Sequence, residues 1–393
     1  MTAVGLDSEL GDDHEHQVYL NDGRRETRDM KLACRECGEK LGFDPTRWAC
    51  PCGGALELIE KPTIDPSDLK EGADGLWRFR SALPVASTAE RVSLGEGGTP
   101  LVPAAWDGQD VFFKLEYLNP TGSFKDRGAT VLVSALKAAG VKRVVDDSSG
   151  NAGAALAAYA ARGDLDAAVY VPAHTAEGKR AQIAVYGAEI VLVPGPRSET
   201  ARAVRDAVQD DVAYASHVYS PLYAEGTKTA AFEIWEQCGQ RGPDSVVVPV
   251  GHGSMLLGLF RGFDELMALG LVDRLPRLYG VQAEPCAPLA RAWRRGHSRV
   301  EPVEEGETVA EGVRIAKPVR GEVILKAIRD TGGAMVAVSD ADTVAAQGKL
   351  AHRGFYVEPT SALAPAALDS LIGELGDCPI VVLTGNGLKS KAV

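Results

Sequence analysis

The chain has 393 residues, a net charge of −12, and apolar (45%) and charged (24%) fractions of an ordinary globular protein, a length that accommodates two lobes and an appendage. The acidic balance argues against a nucleic-acid partner, which needs a basic field, and no run of about 18 apolar residues is present to cross a membrane. It does not exclude an acidic small molecule, because a local pocket can oppose the global charge.

Residues 1–29 read as a flexible tail. They are polar and acidic, without the basic start and apolar stretch of a secretory signal. With an odd cysteine count of seven, this points to a reducing cytoplasm. Residues 30–58 form a cysteine module, CRECGEKLGFDPTRWACPCGGALE. Cys34, Cys37, Cys50 and Cys52 are spaced C-x2-C, twelve residues, C-x-C. Glycines after each pair permit tight turns around sulfur. Four thiolates without histidine indicate a closed structural site for Zn2+ rather than a catalytic one with an open position. The alternative is a metal-free ribbon, since the second pair is one residue shorter than the usual knuckle. Cys238, Cys286 and Cys378 are scattered and read as core residues. Residues 59–87 read as a linker with a few hydrophobic anchors.

From about residue 88 short apolar runs alternate with Ala-rich helical segments. VKRVVDDS, DAAVYVPA, EIVLVP, SVVVPVG, RLYGVQAE and PIVVLTG read as strands. NAGAALAAYAARG, EGKRAQIAVYG and GSMLLGLFRGFDELMALG read as helices. Strand–helix alternation with fully apolar strands predicts an α/β fold with buried parallel sheet. Ligands bind such sheets beyond the carboxyl ends of the strands, here the loops DDSSGNAG, PVGHGSM and LTGNGLK.

One lysine stands out. In KLEYLNPTGSFKDRGAT, PTG supplies a turn, and Asp126 suits the positive end of the following helix. Lys125 is thereby held at a turn-to-helix corner next to Phe124. An arbitrary lysine there would be a solvated helix-start residue, but its neighbours favour a lysine that forms a Schiff base with a carbonyl cofactor. Ser148, Ser149 and Asn151 offer hydroxyls, an amide and backbone N–H groups to an anion such as a carboxylate. Gly251, His252, Gly253, Ser254 and Met255 could present successive N–H groups to a phosphate. Thr384 opens a third strand-end turn. Together these are the parts needed to hold pyridoxal phosphate.

The segments LGEGGTPL, LNPTGSFKDRG, SSGNAG, EGTKTAAFEI, PVGHGSMLLGLFRGF, VEPTSA and LTGNGLK resemble those of fold-type II pyridoxal-phosphate enzymes, and within them the threonine synthase family. The matches span about 90–390. The resemblance implies two doubly wound parallel-sheet lobes preceded by the zinc-ribbon-like module. The large lobe would comprise about 88–133 and 226–393, and the small lobe about 134–225. It also implies a homodimer.

Carried over by position, Lys125 would bear the cofactor and Phe124 would pack near its ring. Asn151 would hydrogen-bond its phenolic oxygen, Gly251 to Met255 would bind its phosphate, and Thr384 would face its pyridine nitrogen. Ser148 and Ser149 would contact the substrate carboxylate. The implied reaction converts O-phosphohomoserine and water into threonine and phosphate, with Lys125 moving the Cα proton. Three features depart from the family pattern. His252 stands where asparagine or glycine is usual, either satisfying a loop carbonyl or acting in catalysis. Ser220 stands where an asparagine for the substrate phosphate is common. Arg197, Arg202 and Arg205 do not align with the arginine expected for that phosphate. Alternatives are a β-replacement enzyme (cysteate or cysteine synthase), a threonine or serine ammonia-lyase, and a non-catalytic homologue, against which the intact Lys125 argues.

Overall fold

The structure is a computed structural model that describes residues 29–69, 75–148, 150–175, 177–195, 197–209 and 211–389, with backbone alone at 178, 179, 197 and 198. The expected tail lies outside the described residues but for its last position, and Ser149 lies outside them entirely.

The first unit is a three-stranded antiparallel sheet of β1 (Lys31–Cys34), β2 (Lys40–Gly42) and β3 (Leu56–Ile59), in the order β2-β1-β3. Its own core is small: Met30, Leu32, Cys34, Cys50, Leu56 and Leu58. Phe43 packs against both this cluster and a larger one in the body of the protein. The described parts of the stretch expected as a linker, 59–69 and 75–87, hold buried anchors. Ile64, Leu76, Trp77, Phe79 and Ala82 are buried in two large apolar clusters of the protein body.

β4 (Leu101–Trp106) and β5 (Gln109–Lys114) follow, then α1 (Lys125–Ala138), β6 (Arg143–Asp146), α2 (Asn151–Arg162), β7 (Asp166–Pro172), α3 (Glu177–Val185), β8 (Glu189–Val193), α4 (Arg197–Asp206) and β9 (Val212–Tyr214). Strands β6 to β9 form a four-stranded parallel sheet, order β8-β7-β6-β9. After α5 (Pro221–Thr227) and α6 (Thr229–Gln237) come β10 (Ser245–Pro249), α7 (Ser254–Ala268), β11 (Arg277–Ala283), α8 (Pro288–Arg294), α9 (Gly321–Asp330), β12 (Ala334–Val338), α10 (Asp340–Ala351), α11 (Pro359–Ala366) and β13 (Pro379–Val382). These complete a six-stranded sheet, β12-β11-β10-β13-β5-β4.

The central strands β10 and β13 are buried along their whole length, because helices cover both faces of a parallel sheet. The large sheet is parallel except at one edge, where β4 pairs antiparallel with β5. The expected α/β fold with buried parallel sheet is present, with this one antiparallel edge added to it. Asp107 and Gly108 both have positive φ (48° and 86°) and close a two-residue hairpin, too short for the crossover a parallel pair needs. The expected lobe division near 133 falls inside α1, whose apolar residues pack with β6, α2 and α5 in one cluster. Among the described residues no helix is long and apolar enough to cross a membrane.

Candidate active site

Lys125 is the first residue of α1 and sits between the two sheets. Its turn is pinned from the large sheet. The Phe124 N–H donates to the Thr384 carbonyl at 3.1 Å, and Ser123 bridges to Gly385. Gly122 takes the positive φ, 83°, that the turn requires. Asp126 accepts from the Thr121 backbone N–H at 2.7 Å and from its hydroxyl. Burial pushes this carboxyl up to about 7. Just beneath, Arg127, Lys114, Glu116 and Glu233 form a fully buried ion network, with Arg127 Nε 2.7 Å from Glu116 and Lys114 Nζ 2.8 Å from Glu233. Burying charges on both sides with mutual pairing makes the network a rigid footing. It also removes Lys114 and Arg127 from any role as substrate cations.

The Lys125 ε-amine has no hydrogen-bond or ion-pair partner among the described residues. It lies 4.7 Å from the Phe124 ring centroid and 5.8 Å from that of Tyr223. The Tyr223 hydroxyl donates to the Lys125 carbonyl at 2.8 Å. Desolvation lowers the amine to about 8, against the opposing pull of Asp146 and Glu358. A fraction of the amine is therefore neutral near physiological pH, far more than for an ordinary lysine.

Around it lie the residues singled out from the sequence. Thr384 is buried, its N–H donates to Ser361 Oγ at 2.6 Å, and its own hydroxyl has no partner among the described residues. The Ser123 hydroxyl is likewise unpartnered. Buried hydroxyls without partners are uncommon and call for a missing group. Asn151 opens α2 and donates Nδ2 to both Glu358 carboxylate oxygens, at 3.0 and 3.1 Å, across the cleft. Ser148 is buried at the end of the β6 loop. Gly253 caps α7 at φ 81°, and a Cβ there would lie 2.4 Å from Ile324, so the loop 251–255 takes a shape that only glycine allows. The Met255 side chain points into the core, leaving only its backbone for an anion. His252 faces His217 edge-on, ring centroids 6.2 Å apart.

A narrow cleft opens beside this loop, lined by His217, Ser220, Tyr223, His252, Ser254 and Arg320, with Arg261 behind. The Ser220 hydroxyl is buried and has no partner among the described residues. By contrast, Arg202 pairs with Glu199 on the surface, and Arg205 donates to the Ala201 carbonyl. Neither reaches the cleft.

Glu358, Tyr223 and His217 also belong to the site, though no motif in the sequence singles them out. Burial raises the Glu358 carboxyl above the usual carboxylate range. The signal was present for Glu358, since it immediately precedes Pro359, the first residue of α11. Nothing local marks Tyr223 or His217.

In the N-terminal module the four cysteine sulfurs lie within 4.8 Å of one another. Cys34 and Cys52 are 3.5 Å apart, Cys37 and Cys50 3.7 Å. Sulfurs around tetrahedral zinc, with Zn–S near 2.3 Å, stand about 3.8 Å apart, so the set fits that ion.

Fold and site together define a two-lobed α/β enzyme with a desolvated lysine at the strand ends of its cleft. The profile of the family described as "Pyridoxal-phosphate dependent enzyme" matches residues 92–385. A threonine synthase of Methanocaldococcus jannaschii is 37% identical over 376 residues, covering 92% of this chain and 93% of that one. Another, of Methanosarcina acetivorans, is 36% identical, covering 91% and 92%. Among solved structures, a threonine deaminase of T.th. aligns with TM-score 0.64 at 26% identity, covering 75% of this chain and 94% of that one. A maize serine racemase aligns with TM-score 0.65 at 22% identity, covering 74% and 88%, and shares the fold. The chain belongs to the pyridoxal-phosphate dependent enzyme family, on its threonine synthase branch. It is a pyridoxal-phosphate-dependent lyase, and the unpartnered hydroxyls, the glycine-shaped loop and the amine lowered to about 8 fit that cofactor.

Proposed function

We propose that the enzyme converts O-phosphohomoserine and water into threonine and phosphate. Lys125, Phe124, Asn151, Thr384 and the loop 251–255 would hold the cofactor, and Ser148 and Ser149 would take the substrate carboxylate. When bound, the cofactor supplies an aldehyde that condenses with the substrate amine and a ring that stabilises negative charge at Cα. The chain's own residues do the rest. Lys125, neutral once freed, takes the proton from Cα and later returns it. Thr384 offers a hydroxyl rather than a carboxylate to the ring nitrogen, which does not force that nitrogen to stay protonated and suits elimination over transamination. Loss of a Cβ proton lets the Cγ–O bond break, its electron pair leaving with phosphate. Water oxygen then bonds Cβ, and protons return to the carbon skeleton.

A dianion leaving group needs donors, since burying it unpaired would be costly. Ser220, His217, His252 and Arg320 are the groups we assign to it. What carries the reading is a lysine amine without polar partners, lowered to about 8, in a chain closely similar to threonine synthases along nearly its whole length. Zn2+ on the four cysteines would be structural, and the working assembly would be a homodimer.

The test is to supply O-phosphohomoserine, O-phosphoserine and threonine side by side. The reading expects threonine and phosphate in equal amounts from the first, and no turnover of the others. Phosphate release from O-phosphoserine alone would replace it with β-replacement chemistry, and ammonia from threonine alone with an ammonia-lyase.

A further inference from the structure

We infer that the cysteine module positions the substrate-binding segment 214–220, with Trp48 and Glu57 as the positioning residues.

Trp48 lies in the loop between the two cysteine pairs. Its ring meets Tyr214 edge-on at 5.2 Å and Tyr219 at 5.4 Å, and it packs onto the apolar cluster of Val145, Ala168, Val204 and Tyr214. Tyr214 in turn donates its hydroxyl to Asp147 at 2.8 Å, next to Ser148. Tyr219 is next to Ser220. One indole from the module therefore braces both ends of the site at which the substrate is proposed to bind.

Glu57, on β3, makes the second contact. It is buried and bonded to Arg320 Nε at 3.1 Å and to Arg261. Arg320 donates on to the Tyr219 carbonyl at 2.8 Å, to the Val218 carbonyl, and to Leu56 of the module at 3.0 Å. Arg320 also lines the cleft. Without Glu57 the guanidinium would be a buried cation lacking its counter-ion, and would not hold those carbonyls in place.

Both residues depend on the metal. The module's three short strands bury only a handful of apolar side chains, too few for stability alone, and such units take their folding energy from the ion. β3 is held in register with β1, Cys34 opposite Leu56 and Ala33 opposite Glu57, and Trp48 is two residues before Cys50. Metal binding is thereby coupled to the geometry of 214–220, although no cysteine reaches the cleft.

The inference rests on the proposed function for its kinetic arm alone. The experiment uses the zinc-loaded, cofactor-loaded full chain and compares wild type with Trp48→Ala, Trp48→Phe and Glu57→Gln. It measures amide hydrogen exchange across 214–220, kcat and KM, and the absorption of the bound cofactor. Loss of two edge-to-face ring contacts should speed exchange in 214–220 about tenfold and raise KM about tenfold. The value of kcat should stay within about twofold and the cofactor absorption should be unchanged, because Lys125 is pinned from the other sheet. Trp48→Phe should recover most of both effects, and Glu57→Gln should raise KM. Chelating the metal should reproduce the change in wild type and add little in a variant carrying both Trp48→Ala and Glu57→Gln, the non-additivity of residues acting as one unit. Wild-type exchange in 214–220 of Trp48→Ala would overturn the inference. So would a fall in kcat matched by loss of cofactor, or chelation and mutation effects that multiply. Should O-phosphohomoserine prove not to be the substrate, the exchange arm still decides.

Discussion

Lys125 carries an energetic signature that can be measured without any substrate. Its amine is lowered from 10.5 to about 8, first by burial. In the unfolded chain the same amine keeps its proton to its ordinary value. Between about pH 8 and the ordinary lysine value the unfolded state therefore binds more protons, and stability rises with pH in that window. The charged amine is a destabilising presence below it. The cofactor-free Lys125→Met variant should melt at a higher temperature than the cofactor-free wild type at neutral pH. The difference should shrink as pH rises through and above about 8. Equal melting temperatures at every pH would mean that the amine is solvated. For the same reason, the rate at which the apoprotein takes up pyridoxal phosphate should climb through about pH 8 and then level. Thr384→Val, which removes the unpartnered hydroxyl, should retain the bound cofactor and lose about a hundredfold or more in kcat.

At the scale of elements, the site is a set of three strand-to-helix corners and one turn. Gly153, in the first turn of α2, shows how tightly one corner is drawn. A Cβ there would stand 1.8 Å from the Ser148 carbonyl oxygen, so Gly153→Ala must push Ser148 away. It should raise KM and lower stability by ~1–3 kcal/mol, the usual cost of an overpacked contact, read by thermal melting beside steady-state kinetics. Each corner alone is a weak signal, since many strand-to-helix turns end in glycine and hydroxyl residues, and the site was legible only because three of them accompany Lys125 after its turn. The strands over VVD, AVYV, VVVP and IVV lie where periodicity places them, and Lys125 does open a helix. The β4–β5 hairpin went unread although Asp107-Gly108 is a strong turn signal, because its strands mix polar with apolar residues. β12, AMVAV, is short and follows a Gly-Gly pair. Segment 59–87 read as a linker because its buried residues follow no period, being anchors of a strap rather than a face of one element.

The molecule as a whole joins its parts through polar contacts distant in sequence. Asn151 at the start of α2 donates to Glu358 at the start of α11, closing one side of the cleft. Glu57 reaches Arg261 and Arg320 from the cysteine module. Such pairs are invisible to sequence reasoning, since a glutamate on a short buried strand and an arginine some 260 positions later carry no mutual signal. The same limit hid His217 and Tyr223, which acquire meaning only when the fold brings the start of α5 and the residues before it beside the loop 251–255. The cysteine cluster, by contrast, was readable from spacing alone. Elemental analysis should find one zinc per chain, lost in Cys50→Ser, with a lower melting temperature as the module's folding energy goes with the ion.

The nitrogen that holds the cofactor decides the chemistry. Treating the yellow holoenzyme with borohydride, digesting it and weighing the peptides identifies it directly. The expected result is a pyridoxyl-phosphate adduct on the peptide bearing Lys125, and its absence from Lys125→Ala. An adduct on another lysine, or none on a protein that has bound the cofactor, would contradict it.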